Sequence, residues 1–120
     1  MSPQSVFFNL IERDDIIVVE FAVTHLNDEE NIDLMGQELF SLVDNDGWRK
    51  VVVDMRIVEF VTSSVLGKLI TLHRRLHRHD GKMVIYNLWG EVESVMETSK
   101  LDMYFNLATD VESAVVMLND

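Results

Sequence analysis

The sequence predicts an α/β domain: a mixed β-sheet that opens with an antiparallel hairpin and carries about four helices packed on it. Three observations predict it. The chain begins with two apolar runs, Val6 to Ile11 and Ile16 to Val23, split by the polar turn Glu12-Arg13-Asp14-Asp15. Beyond residue 27, segments of helical period alternate with short strand-like runs. Hydrophobic residues fill 48% of the 120 positions, enough for a real core within one domain spanning residues 1–120.

The connection between the first two runs is short, so they form an antiparallel hairpin. His25 to Glu30 is polar and acidic. Asn27 or Asp28 caps the first helix, and Glu29 and Glu30 fall in its first turn, where acids suit the helix dipole. Ile32, Met35, Leu39, Leu42 and Val43 recur at helical spacing and give this helix one apolar face. Asp44-Asn45-Asp46-Gly47 ends it, with Gly47 free to take a positive φ. Lys50 to Met55 is a strand with an almost continuous apolar run, as expected of a strand covered on both faces.

A second long helix starts near Ser63 and stops at Asp80-Gly81. Leu66, Leu69, Ile70, His73 and Leu76 share one side, widened by Val65 and Leu72. Lys82 to Tyr86 is a further strand, Glu91 to Thr98 a third helix, and Phe105 to Ala108 a last short strand. Val111 to Leu118 closes the chain as a helix capped by Thr109 or Asp110. Strands alternating with helices imply a largely parallel sheet, with the hairpin as its mixed edge.

Charge and composition narrow the function. The formal net charge of −11 argues against a general binder of nucleic acid or of anionic membranes. It suits a partner with a basic surface, and equally simple colloidal solubility. Without cysteine there is no disulfide, thiol catalysis or thiolate metal site, which is compatible with a reducing cytoplasm. Met1-Ser2-Pro3-Gln4 lacks the basic and apolar regions of a signal peptide, and no apolar run is long enough to span a bilayer.

Four clusters carry the chemical possibilities. His73 and His77 share a helix face at a spacing that zinc uses, but Arg74 and Arg75 between them would repel a cation. Lys68, Arg74, Arg75 and Arg78 place four of the ten basic residues on one helix, either to bind an anion or partner or to complement the helix end. Asp44, Asp46 and Asp54 are magnesium candidates; the first two lie in a helix-ending turn, where aspartate is common for local hydrogen bonding. No phosphate-binding glycine loop, nucleophile elbow or dinucleotide fingerprint occurs, so no catalytic residue, metal or cofactor is expected. The fourth cluster is Thr62-Ser63-Ser64, at the start of the second long helix. Serine and threonine are preferred helix caps. The unpaired N–H groups of a helix start also favour a phosphate, which makes a modified or partner-binding site the competing reading.

Set in order, Val51-Val52-Val53-Asp54-Met55 and Val58-Glu59-Phe60-Val61-Thr62-Ser63-Ser64-Val65-Leu66-Gly67 resemble the core of the STAS domain, the family of bacterial anti-sigma factor antagonists. Leu72-His73-Arg74-Arg75, Gly81-Lys82-Met83-Val84-Ile85, Val92-Glu93-Ser94-Val95-Met96-Glu97 and Leu101-Asp102-Met103-Tyr104-Phe105 extend the resemblance from Phe7 to Met117. It implies a STAS-like fold and a non-enzymatic, cytoplasmic regulator. Its partner would be an anti-sigma factor with serine kinase activity, which phosphorylates the first serine of the pair, here Ser63. Unphosphorylated antagonist binds that kinase and frees the sigma factor; phosphorylation blocks binding, and a phosphatase restores it. The partner-binding positions implied are Asp28, Thr62, Ser63, Ser64 and Val65. Neither a membrane span nor direct contact with nucleic acid is implied. Two residues depart from the family pattern: Thr62 stands for an aspartate and Val65 for a glycine. They motivate a second reading, a STAS docking module or an accessory subunit of small-molecule or lipid transport that works without phosphorylation. An enzyme, the third class, would need a pocket of clustered, perturbed ionisable groups.

Overall fold

The computed structural model describes residues 5–120. The first strand, β1 (Phe8–Arg13), turns through Asp14-Asp15 into β2 (Ile16–Phe21), with Arg13 opposite Ile16. The sequence places the turn earlier, from Glu12. The strand instead runs on to Arg13, because the whole reversal fits into two residues. Asp14 takes φ +58°, a left-handed conformation that a short polar side chain tolerates.

Thereafter come β3 (His25–Leu26), α1 (Glu29–Asp44), β4 (Lys50–Asp54), β5 (Phe60–Val61), α2 (Ser63–Arg78), β6 (Lys82–Tyr86), α3 (Gly90–Thr98), β7 (Asn106–Ala108) and α4 (Val111–Leu118). The main sheet has the order β1-β2-β4-β6-β7, antiparallel at β1–β2 and parallel elsewhere. The mixed sheet and the four helices match the expected class.

Alternation along the central strands builds two cores. Ile17 and Val19 of β2, Val51 and Val53 of β4, and Met83 and Ile85 of β6 face one side, against α1, α2 and α3. Ile16, Val18, Val52 and Val84 face the other, where Ala114 and Leu118 of α4 cover them. That is why β4 reads as unbroken valine: both faces are buried. On α2 the fully covered stripe is Val65, Leu66, Leu69, Leu72 and Leu76. Burying one such leucine stabilises by about 1.5–3 kcal/mol. Ile70 and His73 lie at the margin of this stripe, half-buried.

Both helix stops use their predicted residues, by different means. Gly47 has φ +78°. After α2 it is Asp80 that is left-handed, with φ +60°. Gly81 serves a close approach: a Cβ there would lie 2.5 Å from the Arg49 carbonyl oxygen. The side chains of Asp28 and Asp110 cap α1 and α4, accepting from the N–H groups of Glu30 and Ser113.

Candidate functional site

A second, two-stranded sheet positions the serine pair. Strands β3 and β5 run parallel, with His25 beside Phe60 and Leu26 beside Val61. The Thr24 carbonyl accepts from Glu59 N–H at 2.8 Å, and the Leu26 carbonyl from Thr62 N–H at 3.2 Å. The ribbon lies immediately before both helices, so it sets the first turns of α1 and α2 side by side. Ser64 Oγ donates to Glu29 Oε1 at 3.0 Å, and Lys68 pairs with Asp33 at 3.0 Å one turn further on. Two-residue strands carry too little pattern to be read from sequence.

Ser63 is the first residue of α2 and is exposed. Thr62 precedes it in the cap position with extended backbone, φ −94° and ψ 169°, but makes no side-chain cap bond. Its Oγ1 is buried and has no hydrogen-bond partner. The capping role read for this cluster is therefore not carried by Thr62. Neither does an acid serve the helix start, since the first turn of α2 contains none. Its positive dipole end faces a serine hydroxyl with no fixed negative charge in the same turn. The first turn of α1, by contrast, holds Glu29 and Glu30.

The five predicted partner-binding positions thus separate. Ser63 is exposed, and Asp28 is exposed but already caps α1. Ser64 is half-buried with its hydroxyl given to Glu29. Thr62 turns its hydroxyl inward. Val65 must be corrected: it is 0% exposed, so its added bulk enters the core and it cannot touch a partner directly.

Two exposed aromatics were missed in sequence. Phe60, 38% exposed, stacks on His25 with ring centroids 6.1 Å apart. Trp89 is also exposed and ties its Nε1–H to the Arg56 carbonyl at 2.7 Å. The available signal was an aromatic beside the serine cluster, Phe60, and an aromatic next to Gly90, Trp89.

Asp54 is the one buried charged side chain among the described residues. It accepts from Arg56 N–H at 2.9 Å, from Tyr86 Oη–H at 3.1 Å and from Asn87 Nδ2 at 3.1 Å. Burial, reinforced by the Asp54 charge, pushes the Tyr86 phenol up to about 12. This network pins the end of β4 and the chain leading into β5. The three aspartates considered for magnesium are engaged separately: Asp44 pairs with Arg75, Asp46 lies in the turn after α1, and Asp54 is enclosed by donors.

The mixed sheet, the β3–β5 ribbon and the four helices define a class of small α/β domain. A STAS domain model matches residues 8–114. The chain belongs to the STAS domain family. It is similar to the crystal structure of an anti-sigma factor antagonist from Mycobacterium paratuberculosis, with TM-score 0.82, 21% identity, and coverage of 99% of this chain and 98% of that one. It is similar to the Bacillus cell fate determinant SpoIIAA in its phosphorylated form, with TM-score 0.70, 17% identity, and coverage of 92% and 98%. A STAS domain protein from Planctomyces limnophilus gives TM-score 0.78 at 17% identity, with coverage of 92% and 96%. At these identities the likeness is one of fold.

Proposed function

We propose that this protein is an anti-sigma factor antagonist whose binding to an anti-sigma factor with serine kinase activity is switched off by phosphorylation of Ser63. One observation carries the reading: Ser63 presents an exposed hydroxyl in a first turn with no acid of its own, while the hydroxyls beside it are taken, by Glu29 of α1, or buried. Of the three, Ser63 alone is open to a kinase. A phosphate there adds about −1.5 to −2 charges. The helix N-terminus tolerates that charge within the free protein. In an interface formed around a neutral hydroxyl it brings repulsion and desolvation, which weaken binding. Phe60 of β5, two residues before Thr62, supplies exposed apolar surface beside the helix start. A phosphatase would reverse the switch.

The test is labelling of the purified protein by the candidate anti-sigma kinase with ATP. Wild type and Ser64→Ala take up phosphate and Ser63→Ala does not. Equal labelling of Ser63→Ala and wild type sinks the assignment. Binding of the same kinase should persist in Ser63→Ala and weaken at least roughly tenfold in Ser63→Asp, a loss of about 1.4 kcal/mol.

A second reading is a STAS docking module that never becomes phosphorylated. Thr62 favours it, because its buried hydroxyl supplies no charge where the family carries an aspartate. Intact mass of protein from its host, unmodified under every growth condition, would support that reading against the first.

A further inference from the structure

Helix α2 has a second chemical end. Where Ser63 begins it, His73, Arg74, His77 and Arg78 line an open concavity of about 360 Å3 near its close, and Tyr104 from the segment after α3 completes the wall. Every lining side chain is cationic, protonatable or a hydroxyl donor. None is acidic, in a chain with 21 acidic residues against 10 basic ones.

Cations at a helix C-terminus are expected, since they complement the dipole. That accounts for His77 and Arg78 in the last turn and for Arg75, which pairs with Asp44 and lies over the Phe40 ring at 4.4 Å. It does not account for Arg74, or for Tyr104 standing over His73 beside them. The ion pairs among the described residues use Lys50, Lys68 and Arg75, and leave Arg74 and Arg78 without a carboxylate. These two stand four apart, so their guanidinium groups share one face, as the imidazoles of His73 and His77 do. Tyr104 is fixed against His73, ring centroids 4.9 Å apart, and Phe105 closes on the same imidazole at 5.8 Å. His73 Nδ1 is buried with no hydrogen-bond partner.

We propose that this concavity binds the phosphate group of a small phosphomonoester. Two guanidinium forks match the oxygens of a phosphate in bidentate fashion, and neutral or charged imidazoles add donors. The size falls at the lower end of the range for small-molecule sites, about 300–1,000 Å3. The exposed part of the Tyr104 ring offers the ester group an apolar wall. The net negative charge of the chain opposes loose anion adsorption, so occupancy here depends on these few donors. At about 1.5 Å per residue, the length of α2 separates the concavity from Ser63 by roughly 20 Å. The site stands whether or not Ser63 is a switch.

The experiment is an NMR titration of the isotope-labelled full chain with phenyl phosphate and with inorganic phosphate, sodium chloride holding ionic strength constant. Saturable shifts are expected at His73, Arg74, His77, Arg78 and Tyr104, with the first turn of α2 unmoved. In the double variant Arg74→Gln, Arg78→Gln the apparent Kd rises at least roughly tenfold. Both arginines are exposed, so the fold is retained, and unchanged amide shifts in the sheet check this. Linear, unsaturated shifts would overturn the site, as would equal Kd values for wild type and the double variant. A phosphoserine peptide that binds tenfold tighter than phenyl phosphate would also overturn it, in favour of a protein partner.

Discussion

Ser64 Oγ donates to Glu29 Oε1 at 3.0 Å, and this one bond joins the first turn of α2 to the first turn of α1. Both groups sit at the surface of the seam, so the bond stabilises modestly, by about 0.5–1 kcal/mol. Ser64→Ala and Glu29→Ala should each lower stability by about that amount in urea unfolding. Combined, they should cost less than their sum, because each removes the same interaction. Strict additivity would show that the two side chains are not coupled in solution.

The two close-approach glycines should respond very differently to alanine. At Gly36 the new Cβ would lie 2.7 Å from Lys68 Cδ, part of a flexible chain that can swing away at the cost of its pair with Asp33. Helix propensity gains up to about 1 kcal/mol in return, so Gly36→Ala should stay within about 1 kcal/mol of wild type. At Gly81 the obstacle is backbone: 2.5 Å to the Arg49 carbonyl and 3.1 Å to that of Leu76. The Arg49 carbonyl cannot yield without breaking the bond it accepts from Lys82 N–H at the start of β6, nor the Leu76 carbonyl without breaking the bond it accepts from Gly81 N–H. Gly81→Ala should cost about 2 kcal/mol or more, within the range for overpacked sites. Thermal unfolding that ranks the two variants the other way would contradict this geometry.

Asp54 and Tyr86 predict a titration. The folded phenol is pushed up to about 12 from an ordinary value of 10, so its proton is held more tightly in the native state than in the unfolded one. Stability from this source is complete below pH 10 and is lost as pH rises towards 12. The chain has two tyrosines, so the ultraviolet phenolate band is simple to assign. The difference between wild type and Tyr86→Phe should show a tyrosine ionising well above pH 10. Asp54→Ala should bring that ionisation down. The same variant should lose about 3 kcal/mol of stability, since it strands three donors in a buried site.

Much of this was legible in the residues, for reasons that can be named. Val51 to Val53 announced a strand buried on both faces because valines cover both core clusters. Asp28 and Gly47 announced helix limits because capping and left-handed turns are local chemistry. The site was read less completely. Ser63 stood out through the pattern around it, but Ser64–Glu29 spans 35 residues and no local rule brings the two together. Thr62 misled: it has the right type and position for a cap, yet the β3–β5 ribbon turns its hydroxyl inward. Val65 misled likewise, because adjacency to the serines in sequence says nothing of which side of the helix it occupies. Helical periodicity did say so, since Val65 belongs to the stripe of Leu69, Leu72 and Leu76.

His73 gives the last prediction. Its ring is packed against Tyr104 and Phe105, and burial, with a smaller contribution from the nearby His77 charge, holds its pKa below the ordinary 6.5. The folded state therefore binds this proton less readily than the unfolded state. Stability is complete above about pH 6.5 and falls as the pH drops through the folded value. Urea unfolding at pH 7.5 and 5.5 should show a loss in wild type that His73→Gln reduces. Carboxylates add their own slope in both proteins, so the difference between the two is the quantity to read. The imidazole resonance of His73, followed by NMR, gives a second readout that does not depend on the variant folding well. An imidazole that titrates at or above 6.5, with equal pH slopes for the two proteins, would mean that the Tyr104–Phe105 packing does not shield His73 in solution. Saturating phenyl phosphate should move the same resonance upward, because an anion in the concavity favours the imidazolium that burial opposes.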